Sequence, residues 1–433
     1  MSRVFAGDLA QHAGSHVRIA GWLHRRRRLS QITFLVIRDA TGLVQVVVTD
    51  PEQTQVVAGL SPETVVAVDG TAVASEQAPG GVEIHGPTIE LLATPAGAPP
   101  FDLHRPRLNV QLPTLLDCAP VALRHPRQRA IFQITAASIA GFRSGLDALG
   151  FTEIQTPKIV ASATESGANV FPVDWFGRPA FLAQSPQFYK QIMVGIFERV
   201  FEVGPVFRAE PHDTARHLSE YVSLDAELGF IADHRDVMAT ARDAVSAMAG
   251  EVARRTASAV AMLGATVPLV PDEIPAVHFA DAQAMITAAT GENLEHELDL
   301  APAHERWLSD WALREHDSEF VFVTGYPMAK RPFYTHPDPR RPAYSNSFDL
   351  IFRGLELITG GQRLHRYSDY IDALDRAGQD PADYAGYLDA FRFGMPPHGG
   401  FAIGLERWVA RLIGAANVRE TTLFPRDLTR LTP

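Results

Sequence analysis

Several residue types and patterns are scarce in this chain of 433 residues, and each scarcity removes a class of explanation. A single cysteine, Cys118, rules out an internal disulfide framework and a cysteine-ligated metal cluster, and it suits a reducing compartment, so a cytoplasmic location is expected. No run of about eighteen apolar residues occurs, which argues against a membrane-spanning helix. The opening MSRVFAGDLAQHAGSH lacks the charged, then apolar, then small pattern of a secretory signal. Only three of the basic residues are lysines (Lys158, Lys190 and Lys330), against thirty-six arginines. A genome rich in G and C explains most of that bias, but it makes each lysine worth inspecting. No Walker A string is present, and no GxGxxG follows a strand, so any nucleotide chemistry must use another scheme.

What is present describes a globular protein with a large core: 46% apolar residues, 21% charged, and a length that predicts two or more domains. The net charge of −11 disfavours indiscriminate nucleic-acid binding. That charge is uneven. Residues 1–110 hold nine arginines against ten acidic residues, while 111–433 hold thirty basic against forty acidic. Four arginines stand together at Arg25 to Arg28.

Residues 1–105 read as a small β domain. Valine-, isoleucine- and threonine-rich stretches at 16–24, 32–38, 43–49, 64–74 and 82–92 are separated by turn signals such as Asp39-Ala40-Thr41-Gly42. Five short strands suit an oligonucleotide-binding (OB) barrel, and on pattern alone an SH3-like barrel fits as well. Six prolines between 93 and 120 mark a hinge, with 106–124 as the linker proper. From 125 to 433 the pattern is α+β. Helices are expected from His125 to Leu149, at 233–263, 280–288 and 302–315, and from Gly404 to about 414. Strands are expected at GFTEIQTPKIV and at 200–209, 221–229, 320–326 and 346–357. Strands and helices do not alternate regularly, so a mainly antiparallel sheet flanked by helices fits better than a doubly wound parallel one.

Four clusters of this larger region carry chemical groups. In FRAEPHDTARHLSEYVSLDAE (207–227), Arg208 and Glu210 share one face at strand period, as do Asp225 and Glu227. A strand-borne arginine can hold a phosphate bidentately, although a solvated charged hairpin reads similarly. In QSPQFYK (184–190), Ser185, Gln187 and Lys190 adjoin two aromatics. Ser185 as N-cap and Pro186 at N1 would also explain a plain helix start. In SFDLIFRGLELITGGQRLHR (347–366), the carboxylates Asp349 and Glu356 near Thr359 suggest Mg²⁺, with Gly360-Gly361 turning the chain so that Arg363 faces the same cavity. In GGFAIGLERWVARLIG (399–414), glycines precede an amphipathic helix bearing Arg407, an arrangement that favours phosphate.

In order and spacing these strings resemble the three signature motifs of class II aminoacyl-tRNA synthetases: GFTEIQTP, FRAE…RHLSEY and GLER. QSPQxxK and GGQR narrow the resemblance to aspartyl-tRNA synthetases. ATESGANVFPV, RHLSE and the chain length point to their compact archaeal-type form, and the resemblance covers nearly the whole chain. It implies that ATP meets Arg208, Glu210, Arg216, His217, Leu218, Glu356, Gly404, Leu405, Glu406 and Arg407. Glu356 and Thr359, with Asp349 nearby, would hold Mg²⁺. L-aspartate would meet Glu165, Ser185, Gln187, Lys190, Arg208, Asp225, Thr359 and Arg363, with the cations Lys190 and Arg363 facing its side chain. Asparaginyl enzymes share much of the pattern but lack that lysine. The barrel would hold the tRNA anticodon through His24, Arg25, Phe34, Gln45, His85 and Pro87, with Phe34 stacking on a base. Phe34 would otherwise be barrel core. His24 stands where family members specific for tRNA(Asp) carry Trp, which implies charging of tRNA(Asn) as well as tRNA(Asp) and a downstream amidotransferase. The alternatives are an enzyme restricted to tRNA(Asp) and, behind it, an asparaginyl-tRNA synthetase. A homodimer through the first motif is also implied. An amide-forming ligase on the same catalytic fold would lack the N-terminal barrel, and a catalytically dead RNA-binding relative would have lost Arg208, Glu356 or Arg407.

Overall fold

The computed structural model describes residues 2–161, 169–211 and 214–433. They form two compact units, the first reaching Arg129 and the second running from Ala130 to Pro433.

In the first unit, strands β1 (His16–Leu29), β2 (Ile32–Arg38), β3 (Leu43–Val48), β4 (Val65–Ala74) and β5 (Val82–Ala93) close into a barrel in the order β1-β2-β3-β5-β4. Period-two alternation sends Ile19, Leu35, Val46, Val66 and Ile84 inward as its core. Asp39 makes the β2–β3 turn by accepting from the backbone N–H groups of Thr41 (2.7 Å) and Gly42 (3.0 Å). The helix Pro51–Ala58, capped by Asp50, joins β3 to β4 and was not expected from the sequence. Residues 106–124 are not plain linker: they contain the short helices Leu112–Asp117 and Ala119–Ala122. Arg124 reaches back to Glu63 at 2.9 Å.

The second unit is built on an eight-stranded sheet. Its strands include β6 (Thr152–Glu153), β10 (Arg199–Phe207), β11 (Glu220–Gly229), β12 (Ala276–His278), β13 (Phe320–Thr324), β14 (Ser347–Phe352), β15 (Leu355–Gln362) and β16 (His398–Gly404). The order is β12-β13-β14-β15-β16-β11-β10-β6, antiparallel except for the outermost pair at each edge. Strands β7 (Ile159–Val160), β8 (Pro172–Trp175) and β9 (Arg178–Leu182) form a separate small sheet. Three expectations change. GFTEIQTPKIV is two short strands in different sheets, because Pro157 lies between them and supplies no ladder donor. Residues 346–357 are not one strand: β14 and β15 are joined by Arg353-Gly354, both at positive φ, a two-residue hairpin turn without the usual Asn or Asp. The helix expected over 233–263 breaks at Thr256, giving His234–Arg255 and Ala257–Leu263.

The core lies between the sheet and the helices Pro126–Ala148, His234–Arg255 and Leu405–Ile413. Ile131, Ile134, Phe142 and Leu146 lie at helical spacing on the buried face of the first of these. Trp408, fully buried on the last helix, donates its indole N–H to Ser138 Oγ at 2.9 Å. Gly141 lets two helix backbones meet: a Cβ there would lie 2.6 Å from the Ala247 carbonyl oxygen.

That close approach yields a test. In a solvated helix, Gly→Ala stabilises by about 1 kcal/mol. Here the added methyl meets rigid backbone, so Gly141→Ala should destabilise the second unit by about 1–3 kcal/mol. Urea unfolding followed by circular dichroism measures it, and an unchanged or raised midpoint contradicts this packing.

Candidate functional site

The four central strands β14, β15, β16 and β11 form the floor of a cavity of about 380 Å³ in the second unit. Seven basic and four acidic side chains line it, although the chain as a whole is acidic. Ser185, Gln187, Lys190, Arg208, Asp225, Thr359 and Arg363, expected from the sequence, all reach this one cavity, as do Glu210, Arg216, His217, Leu218, Glu356, Gly404, Glu406 and Arg407. Glu165 lies outside the described residues.

One end is a buried charge cluster. Lys190, on the helix Gln187–Phe197, is 2% exposed. Its Nζ lies 2.9 Å from Asp225 and 3.4 Å from Glu227 and donates to the Phe401 carbonyl at 3.2 Å. Arg363, just past β15, donates to Glu227 at 3.0 Å and to the Gly400 carbonyl at 3.0 Å. Asp225 and Glu227 point to the same side because they are two apart on β11. Burial acts to raise the Glu227 carboxyl, but Arg363 and Lys190 outweigh it and hold the group below its ordinary range. Glu227 does not line the cavity, yet it balances both cations. Its place on the Asp225 face of β11 was the signal for it. Gly400 makes room for the cluster: a Cβ there would come within 2.0 Å of Glu227 Oε2.

The other end is spread over loops. β10 stops at Phe207, so Arg208 and Glu210 stand in the following loop rather than on a strand face. Arg208 lies over the Tyr221 ring, 5.7 Å from its centre, and 4.0 Å from Glu210. His217 Nδ1 is 2.6 Å from Thr214 Oγ1. Arg216 pairs with Glu305 at 3.1 Å, and Glu305 also accepts from the Glu356 backbone N–H at 2.9 Å. Nothing in the sequence singled out Glu305, which sits on the helix Pro302–His316. Arg407, in the first turn of Leu405–Ile413, lies 3.8 Å from Glu356. Glu406 accepts from the Val222 N–H through both oxygens, and burial pushes it up to about 7. Leu405 is a correction: it is 1% exposed and belongs to the core, not to the cavity.

Glu356 accepts from Thr359 Oγ1 at 2.7 Å. Asp349 is paired across the ladder with Thr359, but it does not line the cavity and is bound to Arg331 at 3.1 Å. Burial pushes Asp349 up to about 6, with Glu356 adding to the shift and Arg331 opposing it. No three His, Cys, Asp or Glu side chains gather as a metal cage among the described residues. Two carboxylates and a hydroxyl, all oxygen, suit a hard ion that takes its other ligands from phosphate and water. Gly360 and Gly361 do not turn the chain. They are extended within β15, and the missing side chains leave space for Phe348 and the Asn346 carbonyl. Ser185 is not the N-cap either. Pro186 is, although Ser185 Oγ accepts from the Gln187 N–H at 3.3 Å.

On the barrel, Phe34 and Gln45 stand half-buried on the outer face, and Phe34 is not among the core residues. Gln45 donates to Glu83 at 2.7 Å, and Glu83 lies 2.9 Å from the exposed His85. Arg25 to Arg28 are exposed, and Arg26 also holds the Val57 carbonyl. Pro87 is buried. His24 is buried too, at 7% exposure, with Nδ1 3.2 Å from Arg38, which grips Glu63 through two bonds of 2.8 Å. From there His24 touches Arg38 rather than the outer face. Burial, reinforced by Arg38, lowers it to about 4.

Comparison with known proteins adds two family matches. The family described as tRNA synthetases class II (D, K and N) matches residues 111–428, and the OB-fold nucleic acid binding domain matches residues 17–92. The second match decides between the two barrel types that the sequence pattern left open. The chain is 44% identical to the aspartate–tRNA(Asp/Asn) ligase of Thermus thermophilus over 434 residues, covering 100% of each chain. It is also 44% identical to the ligase of the same description from Deinococcus radiodurans, covering 100% of this chain and 99% of that one. Among solved structures, asparaginyl-tRNA synthetase from Pyrococcus horikoshii complexed with asparaginyl-adenylate is similar at a TM-score of 0.93 with 32% identity, covering 100% of both chains.

A pH dependence follows from one buried neighbour of the charge cluster. His398, at the start of β16, is fully buried, and burial lowers it from 6.5 to about 4. The unfolded chain binds this proton near pH 6.5, whereas the folded chain resists binding it until about pH 4. The stability contributed by neutral His398 is therefore complete above about pH 6.5 and is lost as the pH falls toward 4, on the order of 3 kcal/mol in all. Glu406 and Asp349, both raised, stabilise the fold as the pH drops over the same range, so the effect is read as a difference: between pH 7 and 4.5 the urea midpoint of the second unit should fall relative to that of a His398→Gln chain. Midpoints of the two chains that run parallel over this range would refute the assignment.

Proposed function

This chain belongs to the class II tRNA synthetases of the aspartate, lysine and asparagine group, and we propose that it activates L-aspartate with ATP and passes the aspartyl group to tRNA(Asp) and to tRNA(Asn). The carrying observation is the buried pair of cations, Lys190 and Arg363, at one end of a cavity whose other end holds Arg208, Arg216 and Arg407. In the first reaction the α-carboxylate of aspartate attacks the α-phosphorus of ATP in line and pyrophosphate leaves. The nucleophile is already ionised at neutral pH, so no general base is needed. The chain supplies position and charge instead.

Each residue has a role in this reading. Lys190 and Arg363 hold the side-chain carboxylate, with Ser185 and Gln187 beside them and Asp225 offering an acceptor to the α-ammonium. Glu165 and Thr359 complete the amino-acid side. Arg208 bridges the α-carboxylate and the α-phosphate as charge builds there, with Glu210 beside it. Arg216, His217 and Leu218 serve the far phosphates and adenine, and Arg407, with Gly404 and Glu406 at its helix start, clamps the phosphates from the opposite wall. Mg²⁺ would be held by Glu356 and Thr359, with Asp349 behind them, and when bound it neutralises phosphate charge. Asparagine would set its NH₂ donors against the donor groups of Lys190 and Arg363, a mismatch that costs about 1–3 kcal/mol per unmatched group and more where a charge is involved.

In the second reaction the aspartyl carbonyl passes to the 3′-hydroxyl of the terminal adenosine and the adenylate leaves. Phe34 would stack on an anticodon base, a contact worth about 1–3 kcal/mol. Gln45, His85 and Pro87 flank it, and Arg25 takes part in the phosphate contacts. His24 would act on tRNA choice through Arg38. The reading also includes a homodimer, a cytoplasmic location, and a tRNA-dependent amidotransferase that converts Asp-tRNA(Asn). No helix among the described residues is long and apolar enough to cross a membrane.

Aspartate-dependent ATP–pyrophosphate exchange tests the first step. It should proceed with aspartate and Mg²⁺ and be at least a hundredfold weaker with asparagine, and stronger exchange with asparagine would overturn the reading. Lys190→Met should lower exchange with aspartate by two orders of magnitude or more, as expected when one partner of a buried charge pair is lost. Charging assays on both transcripts test the second step. Aspartylation of tRNA(Asn) no higher than background would remove the dual specificity. With dual specificity present, His24→Trp should confine charging to tRNA(Asp).

A further inference from the structure

Behind the Lys190–Arg363 end of the cavity lies a second polar group that takes no part in the chemistry above. Gln191, Tyr370 and His398 are fully buried and Tyr387 is 5% exposed, among apolar neighbours such as Val194, Leu374, Leu388 and Phe391. Gln191 Nε2 donates to Tyr370 Oη at 3.2 Å and to His398 Nε2 at 3.0 Å, while its Oε1 accepts from the Tyr387 hydroxyl at 2.7 Å. The Tyr370 hydroxyl in turn donates to the Leu364 carbonyl at 2.9 Å. His398 Nδ1 lies 3.0 Å from the Pro396 carbonyl, which sets the tautomer with the proton on Nδ1 and leaves Nε2 free to accept from Gln191. Both N–H donors of the Gln191 amide and its oxygen are therefore engaged inside an apolar cluster.

The connections of this group are specific. Gln191 directly follows Lys190 on the helix Gln187–Phe197. Arg363 donates its backbone N–H to the His398 carbonyl at 2.9 Å, and the carbonyl of the next residue, Leu364, is the one held by Tyr370. Through the His398 residue and the Tyr370 hydroxyl, the Gln191 amide thus links the helix that carries Lys190 to the chain around Arg363, at the Arg363 N–H and at the Leu364 carbonyl. On the cavity side, Glu227 lies between the two cations, 3.4 Å from Lys190 and 3.0 Å from Arg363. Two independent ties, one ionic in front and one hydrogen-bonded behind, set the same separation.

Apolar side chains of the same shape would fill this space at little or no loss of stability, whereas buried polar groups cost free energy unless all are satisfied. The benefit left to a satisfied network is geometric. Recognition of a carboxylate by two cations depends on their spacing, and a displacement of about 1 Å can cost two orders of magnitude in rate.

We propose that Gln191, Tyr370, Tyr387 and His398 are positioning residues that set the spacing of Lys190 and Arg363, and so determine how strongly a substrate carrying a side-chain carboxylate is preferred over its amide. The proposal rests on the reading of this cavity end as the aspartate site.

The test uses the full-length chain and ATP–pyrophosphate exchange with aspartate and with asparagine. Wild-type activity with aspartate is measured first, because its absence defeats the functional reading before any variant is made. Gln191→Met keeps the volume and removes three hydrogen bonds, whereas Tyr387→Phe removes one hydroxyl. The KM for aspartate should rise about threefold for Tyr387→Phe and tenfold or more for Gln191→Met, with the KM for ATP within twofold and the aspartate-to-asparagine ratio of kcat/KM falling in step. If Gln191→Met does not fold, Tyr387→Phe carries the test. An unchanged aspartate KM in a folded variant overturns the proposal. So does a parallel rise in the KM for ATP, which would mark a general structural role.

Discussion

Four charges buried at one place organise the second unit. Lys190, Arg363, Asp225 and Glu227 are each less than a tenth exposed. Burying one ion alone costs several kcal/mol, so the set persists only as a set. Each member comes from a different constraint. Asp225 and Glu227 share a face of β11 through strand periodicity, Lys190 comes from the start of a helix, and Arg363 comes from the residue just past β15. The antiparallel register that places Glu227 opposite Gly400 gives the cluster its room, because any side chain at Gly400 would occupy the Glu227 carboxylate's position. The sheet register and the buried charge cluster are thus one constraint seen from two sides.

The arginine-lined end of the cavity obeys a different rule. Its cations are half-exposed and lie on loops and a helix start, held by partners drawn from separate elements: Glu305 for Arg216, Glu356 for Arg407, Tyr221 for Arg208. A partly exposed arginine keeps part of its hydration and so depends less on protein partners. A buried lysine needs two carboxylates and a carbonyl. The contrast supports the proposed function, in which one end discriminates between a carboxylate and an amide and needs a dry, rigid site, while the other takes phosphate and needs charge and reach.

Residue types and strand pattern were legible from the chain: all five barrel strands, the antiparallel sheet, and fifteen expected site residues that now line one cavity. Local signals misled where a turn or a strand end depended on distant packing. Arg353 takes a left-handed conformation that no turn rule marks, because Glu319 and the Arg411 carbonyl hold its guanidinium. Arg208 and Glu210 read as strand neighbours, but the strand had already ended. The helices Tyr367–Arg376 and Ala385–Arg392, which bring Tyr370 and Tyr387 behind the pocket, were not anticipated.

Which groups are available, and in what order, is written in the chain: lysine rather than arginine at 190, two acids at strand spacing, an arginine past a glycine pair, and a short arginine run in a near-neutral barrel. Those are properties of side-chain chemistry and local period. Which of them meet is a matter of the fold. It placed Glu227 between two cations, withdrew Asp349 onto Arg331, sent Leu405 into the core, buried His24 against Arg38 and enlisted Glu305. Each of those outcomes depends on distances between residues far apart in the chain, and such distances are set by sheet register and helix packing rather than by any local preference.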